Sequence, residues 1–137
     1  DISSTVGTTI SQRLVRRMCP KCKRSRSFSE REKKVIEAIG KKYNVEFDVD
    51  NNVTYDAVGC EYCNNSGYYE RIGVFEVLNM TEEIKELIIS GASTVEIRKK
   101  ALEENYKPLI LDGIKKVIAG KTNLDELNRK LLVYNNI

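Results

Sequence analysis

Four cysteines stand in two matched pairs, Cys19-x2-Cys22 and Cys60-x2-Cys63, with 37 residues between the pairs. Two-residue spacing lets two thiolates from one tight turn reach adjacent corners of a tetrahedron. Each pair also sits in turn-forming sequence. Pro20 pre-sets one backbone angle in CPKCKR, and Gly59, Asn64, Asn65 and Gly67 flank or follow the second pair. Such knuckles leave backbone N–H groups free to point at sulfur. Ordinary buried cysteines and two redox-active disulfides are the alternatives. Neither pair lies in a βαβ pattern, which weighs against the redox reading. The spacing predicts a closed zinc site with Cys19, Cys22, Cys60 and Cys63 as ligands. Four thiolates leave no open coordination position, so the metal would be structural and not catalytic.

Around the first pair lies a positive run, QRLVRRMCPKCKRSR. It carries Arg13, Arg16, Arg17, Lys21, Lys23, Arg24 and Arg26 and no acidic residue. Zinc with four thiolates has a formal charge of about −2, which nearby Lys and Arg offset. That does not require seven cations. A nucleic-acid surface is the competing use, but Phe28 is the only aromatic residue near the run. Over the whole 137 residues the net charge is only +3.

Other chemistry is restricted. The chain has no histidine, which removes the commonest general acid/base and every histidine-liganded metal. GIKKVIAGKT, residues 113–122, ends like a phosphate loop, but Lys115 stands where that motif needs its first glycine. Its context reads as a helix ended by Gly120. No apolar run is long enough to span a membrane, and the start shows no secretory signal pattern. Both point to a cytoplasmic protein.

Several elements must position the cysteines. Ile2, Val6, Ile10, Leu14 and Met18 recur every fourth residue, which predicts a helix over residues 2–18. A lone helix there has little to pack against and suggests that the sequence starts partway through a larger protein. Ser29 and Glu32 form a capping box for a helix carrying Val35, Ile36, Ile39 and Tyr43. Alternation through Val45, Phe47 and Val49, then Val53, Tyr55 and Ala57, predicts a hairpin around Asp50–Asn52. Residues 71–78 read as a further strand. Capping patterns at Thr81, Ser93, Pro108 and Asn123 open four short helices. The expected fold class is α+β and mainly helical: a zinc-stapled subdomain with a small hairpin or sheet, then a C-terminal bundle of short helices.

These motifs resemble the C-terminal region of the type IV pilus assembly and type II secretion ATPases, the PilB and GspE type. The matching residues are Gln12, Arg13, Leu14, Arg16, Cys19, Cys22, Gly59, Cys60, Cys63, Gly67, Tyr68, Arg71 and Glu76. Asp112, Gly113, Lys116, Val117, Gly120 and Thr122 continue the likeness. Departures are Glu70, where the family has glycine, and Ile110, where a charged residue is common. The resemblance implies a hexameric cytoplasmic motor that hydrolyses ATP with Mg2+ at the inner-membrane base of a pilus or secretion machine. Its Walker A, Walker B, Asp-box and His-box elements lie upstream of Gln12, so the stretch present here is not expected to be catalytic or to hold nucleotide. Residues 1–18 would be the final helix of the ATPase core, 19–80 the tetracysteine subdomain, and 81–137 the helical cap. Implied partners are the parent's ATPase core, five further copies, and inner-membrane platform components, with no specific nucleic acid. A zinc-stabilised nucleic-acid-binding module is the alternative function. Pilus assembly, secretion and DNA uptake are not distinguished.

Overall fold

A computed structural model describes residues 5–104 and 106–136. In chain order the elements are β1 Thr5–Met18, β2 Arg24–Ser27, α1 Glu30–Lys42, β3 Val53–Asp56 and β4 Tyr68–Thr81. Four helices follow: α2 Glu82–Ile89, α3 Thr94–Glu103, α4 Leu109–Ile118 and α5 Leu124–Leu131. A short 3-10 turn, Val133–Asn136, comes after α5. Among the described residues the strands form two antiparallel pairs, β1 with β4 and β2 with β3. No described helix is long and apolar enough to cross a membrane.

The helix expected over residues 2–18 is corrected. Residues 5–18 are a strand, and Ile2 lies outside the described residues. A four-residue period is also a multiple of two, so the stripe fits one face of a strand equally well. Thr8, Thr9, Ile10 and Val15 are β-branched and favour that choice. A long partner decides it: β1 pairs with β4 from Thr5↔Thr81 to Met18↔Tyr68. On the face that looked like a core stripe Ile10 is 66% and Leu14 38% exposed, and only at the knuckle end does Met18 turn inward. Leu14's neighbour Val15, pointing the other way, is fully buried with Val74.

The hairpin expected within residues 45–57 is also corrected. Val53–Asp56 does form a strand, but its partner is Arg24–Ser27. Residues 45–49 are not a strand. Asp48 instead organises a turn: its carboxylate accepts from the Asn51 N–H at 3.1 Å, and its carbonyl accepts from the Asn52 amide at 2.7 Å. Such local bonds compete with a strand ladder.

The helix caps follow the sequence. Ser29 Oγ accepts from the Glu32 N–H, and Glu32 accepts from the Ser29 N–H. Thr81, Ser93 and Asn123 cap α2, α3 and α5 through their side chains. The helices do not all join one bundle, however. Helix α4 packs on β4, α5 on β1 and α1 on α4, while α2 and α3 pack on each other. One apolar cluster gathers Val15, Phe28, Ile36, Val74, Ile114 and Leu127 from sheet and helices alike. Ile110, at a position where a charge is common in the resembled family, is buried in that cluster.

Opposite Arg17 the ladder carries one extra residue on β4, because Arg16 pairs with Arg71 and Met18 with Tyr68. Glu70 lies in this bulge with φ 63°, in the left-handed region. A glycine suits such a bulge without the penalty that a side chain incurs. Among the described residues its side chain gains an exposed ion pair with Arg17 at 3.6 Å, worth little. Glu70→Gly is expected to stabilise the fold by about 1 kcal/mol. Urea unfolding checks this, and a lower midpoint for the variant would contradict the bulge reading.

Candidate metal centre

The two knuckles are the links between the two strand pairs. Residues 19–23 lead from β1 to β2, and residues 57–67 lead from β3 to β4. Pairing β1 with β4 and β2 with β3 therefore brings the two links together at one junction. The Cys19 N–H donates to the Gly67 carbonyl at 2.9 Å, joining one knuckle to the other.

All four sequence-nominated cysteines meet there. Their Sγ atoms lie within 4.8 Å of one another. Cys19–Cys60 and Cys22–Cys63 are 3.8 Å apart, and Cys60–Cys63 is 3.7 Å. The thiols are free, and these separations are far from the roughly 2.05 Å of a disulfide. Cys19 and Cys63 are buried, and Cys22 and Cys60 half-buried. Backbone N–H groups point at sulfur as knuckle geometry requires: Gly59 to Cys22 at 3.3 Å, and Cys60 and Gly67 to Cys63 at 3.2 Å.

Without a cation, four clustered thiols cannot all ionise. Burial pushes the Cys22 thiol up to about 12, aided by thiol hydrogen bonds from its three neighbours and opposed by the Gly59 N–H. Burial acts the same way on Cys63, but N–H donors from Cys60 and Gly67, with thiol bonds from Cys60 and Cys22, outweigh it and hold Cys63 down to about 6. A divalent cation would relieve this competition and release protons on binding.

Gly67 fixes the second knuckle. It has φ +83°, and a Cβ there would come within 2.5 Å of the Ala57 Cβ. Its N–H and carbonyl serve Cys63 and the first knuckle respectively.

The positive run is largely engaged within the molecule. Arg16 Nε and Nη2 donate to Glu126 Oε1 at 3.0 and 2.8 Å, and its backbone N–H donates to Glu126 Oε2 at 2.7 Å. Arg26 reaches Glu32 and Asp56 at 2.7 and 2.9 Å. Arg13 donates to the Lys130 carbonyl. Lys21 lies over the Tyr62 ring, which stacks on Tyr69, and Lys23 lies over Tyr55. The buried Glu126 had no functional signal in the sequence beyond its place in a helix start. The Gly120–Thr122 stretch that imitates a phosphate loop is the turn between α4 and α5, with Gly120 at φ +77°.

The sequence model of the family described as "Type II/IV secretion system protein" matches residues 1–129. The chain is 33% identical over 127 residues to the type IV pilus assembly ATPase PilB of Myxococcus xanthus, covering 92% of this chain and 21% of that protein. It is 34% identical over 132 residues to PilB of Acinetobacter baylyi, covering 94% and 21%. Against the type II secretion system protein E of Aeromonas hydrophila the identity is 33% over 128 residues, covering 93% and 24%. The chain thus spans about a fifth to a quarter of the length of these relatives. The likeness runs through both knuckles and into the last helix, and it places the chain in the type II/IV secretion system protein family.

Proposed function

We propose that the chain is the zinc-binding and helical C-terminal module of a hexameric pilus-assembly or secretion ATPase, with a structural and coupling role. The convergence of Cys19, Cys22, Cys60 and Cys63 carries this reading. A regular tetrahedron with metal–sulfur bonds of about 2.3 Å has sulfur–sulfur edges of about 3.8 Å. Three of the six separations, 3.8, 3.8 and 3.7 Å, match such edges, and all six lie within 4.8 Å. Bound zinc would cross-link the two strand pairs. Names of the relatives support the parent's activity, with ATP and Mg2+ bound by segments outside this chain. In this reading residues 1–18 belong with the ATPase core, 19–80 form the metal subdomain, and 81–137 form the cap. The parent works in the cytoplasm, at the inner membrane, beside its platform components.

The functional test compares the parent with this stretch. Full-length protein is expected to hydrolyse ATP and the 137-residue chain is not, with no change expected in the chain on Lys121→Ala. The reason is positional: phosphoryl transfer needs a backbone cradle and an acidic Mg2+ ligand, whereas Lys121 sits in a helix–helix turn whose carbonyl accepts from the Met18 N–H. Turnover by the isolated chain, lost in Lys121→Ala, refutes this assignment. Salt dependence separates the nucleic-acid alternative. With Arg16 and Arg26 committed to carboxylates, binding to duplex or single strands should be weak and gone near physiological salt. Sequence-selective binding under those conditions favours the alternative.

A further inference from the structure

The Gly-Lys-Thr-Asn turn, residues 120–123, takes no part in the reading above, yet every one of its residues is bonded to a segment beside a cysteine knuckle. The Gly120 carbonyl accepts from Lys23 Nζ at 3.0 Å, one residue past Cys22. The Lys121 carbonyl accepts from the Met18 N–H at 2.8 Å, one residue before Cys19. Thr122 Oγ1 donates to the Arg16 carbonyl at 2.9 Å. Asn123 Oδ1 accepts from the Tyr68 hydroxyl at 3.2 Å, and its amide donates to the Tyr55 carbonyl at 3.4 Å. Thr122 and Asn123 are buried. The contacts reach Lys23 in the first knuckle, Tyr55 and Tyr68 on the strands either side of the second, and both strand pairs.

The same turn ends one helix and starts the next. Gly120 follows the C-terminus of α4, where the Lys23 ammonium also suits the partial negative charge of the last carbonyls. Asn123 Oδ1 accepts from the Glu126 N–H at 2.9 Å and so caps α5 while it holds Tyr68.

We propose that the Gly120–Asn123 turn is the outer support of the metal centre and couples its occupancy to the α4–α5 pair. Groups beyond the ligands orient the ligands, and losing one commonly weakens metal binding by tenfold or more. Coupling is reciprocal: what steadies the knuckles when α4–α5 is in place must steady α4–α5 when the knuckles hold metal. This rests on the four cysteines binding zinc, as proposed above.

The test uses the whole chain. Zinc transfer to a chromogenic chelator is timed for wild type, Thr122→Val, Asn123→Ala and Ser93→Ala. Thr122→Val nearly keeps shape and removes only the bond to Arg16. Asn123→Ala and Ser93→Ala each delete one helix cap, but Ser93 caps α3, away from the knuckles. Release should be about tenfold faster in the first two variants and unchanged in Ser93→Ala. Stripping zinc from wild type should also speed amide exchange across residues 120–127 and leave residues 94–103 unaffected. Normal zinc content with equal release from all four proteins overturns the coupling alone. Zinc content near zero in wild type overturns the metal reading, and the coupling with it. Should Asn123→Ala not fold, Thr122→Val decides.

Discussion

Protein purified under reducing conditions without added metal is expected to carry one zinc per chain, and Cys60→Ser to carry almost none. Cys60, like Cys63, is close to a sulfur of each knuckle, 3.8 Å from Cys19 and 3.7 Å from Cys63. It therefore links the first knuckle to the second. A serine hydroxyl is a poor replacement for a thiolate on zinc. Structural zinc contributes roughly 10–16 kcal/mol of apparent folding free energy in small modules. The whole of that is not expected here, because the apolar cluster that joins β1 and β4 to α1, α4 and α5 contributes burial of its own. A loss of several kcal/mol, on the order of half that range, is still enough to open the parts packed around the knuckles, while α3, which packs on α2, keeps its protection. The sequence pattern taken alone confines the damage to the knuckles and the excursion between them. Shared packing extends it to α4 and α5, because Val15 and Val74 pack in one cluster with Ile114 and Leu127. Elemental analysis and amide exchange measure both parts. Metal content near zero in fresh wild-type protein, with Cys19–Cys22 and Cys60–Cys63 disulfides, would falsify the zinc reading.

How much of this was readable in the sequence depends on the range of the signal. The grouping of Cys19, Cys22, Cys60 and Cys63 was legible because two matched pairs need only residue type and local spacing. The caps at Ser29, Thr81, Ser93 and Asn123 were legible for the same reason: a hydroxyl or amide reaches an N–H three residues on. Strand β1 was not, because period four satisfies a helix and a strand alike, and only pairing with β4, about 60 residues away, separates them. The partner of β3 was misassigned because Asp48 builds a turn where alternation implied a strand. The positive run was legible as a run, but its partners were not. Arg16 and Glu126 are 110 residues apart, and no local pattern links them.

Glu126→Gln is expected to destabilise the fold by about 3 kcal/mol, at the low end of the range for breaking a buried ion pair. The carboxylate is almost fully buried and ties β1 to α5. It accepts from Arg16 Nε, Nη2 and backbone N–H, and from Arg129 Nε and Nη2 at 2.8 and 2.9 Å. Glutamine keeps the volume but brings an N–H2 group against these donors and removes the charge. The arginines are about half exposed and can rehydrate, which is why the low end is chosen. The pH dependence has a definite sign. Burial alone would raise the Glu126 pKa, but the hydrogen bonds from Arg129 and Arg16 outweigh it and hold it at about 2, against an ordinary 4.5. A depressed pKa stabilises the folded state above the unfolded value and loses that effect as pH falls through the folded one. The shift corresponds to about 3 kcal/mol, present above pH 4.5 and lost between there and pH 2. Glu32, also held low despite its burial by Arg26 and the Ser29 N–H, acts in the same direction, so wild type retains acid lability from more than one group. The difference between wild type and Glu126→Gln isolates one of them. It should be near 3 kcal/mol at pH 6 and shrink steadily from pH 4.5 downward. Unfolding midpoints at four or five pH values suffice to measure it. A difference that stays constant with pH would mean that Glu126 acts through shape and hydrogen bonds alone, and that its charge does not hold β1 to α5.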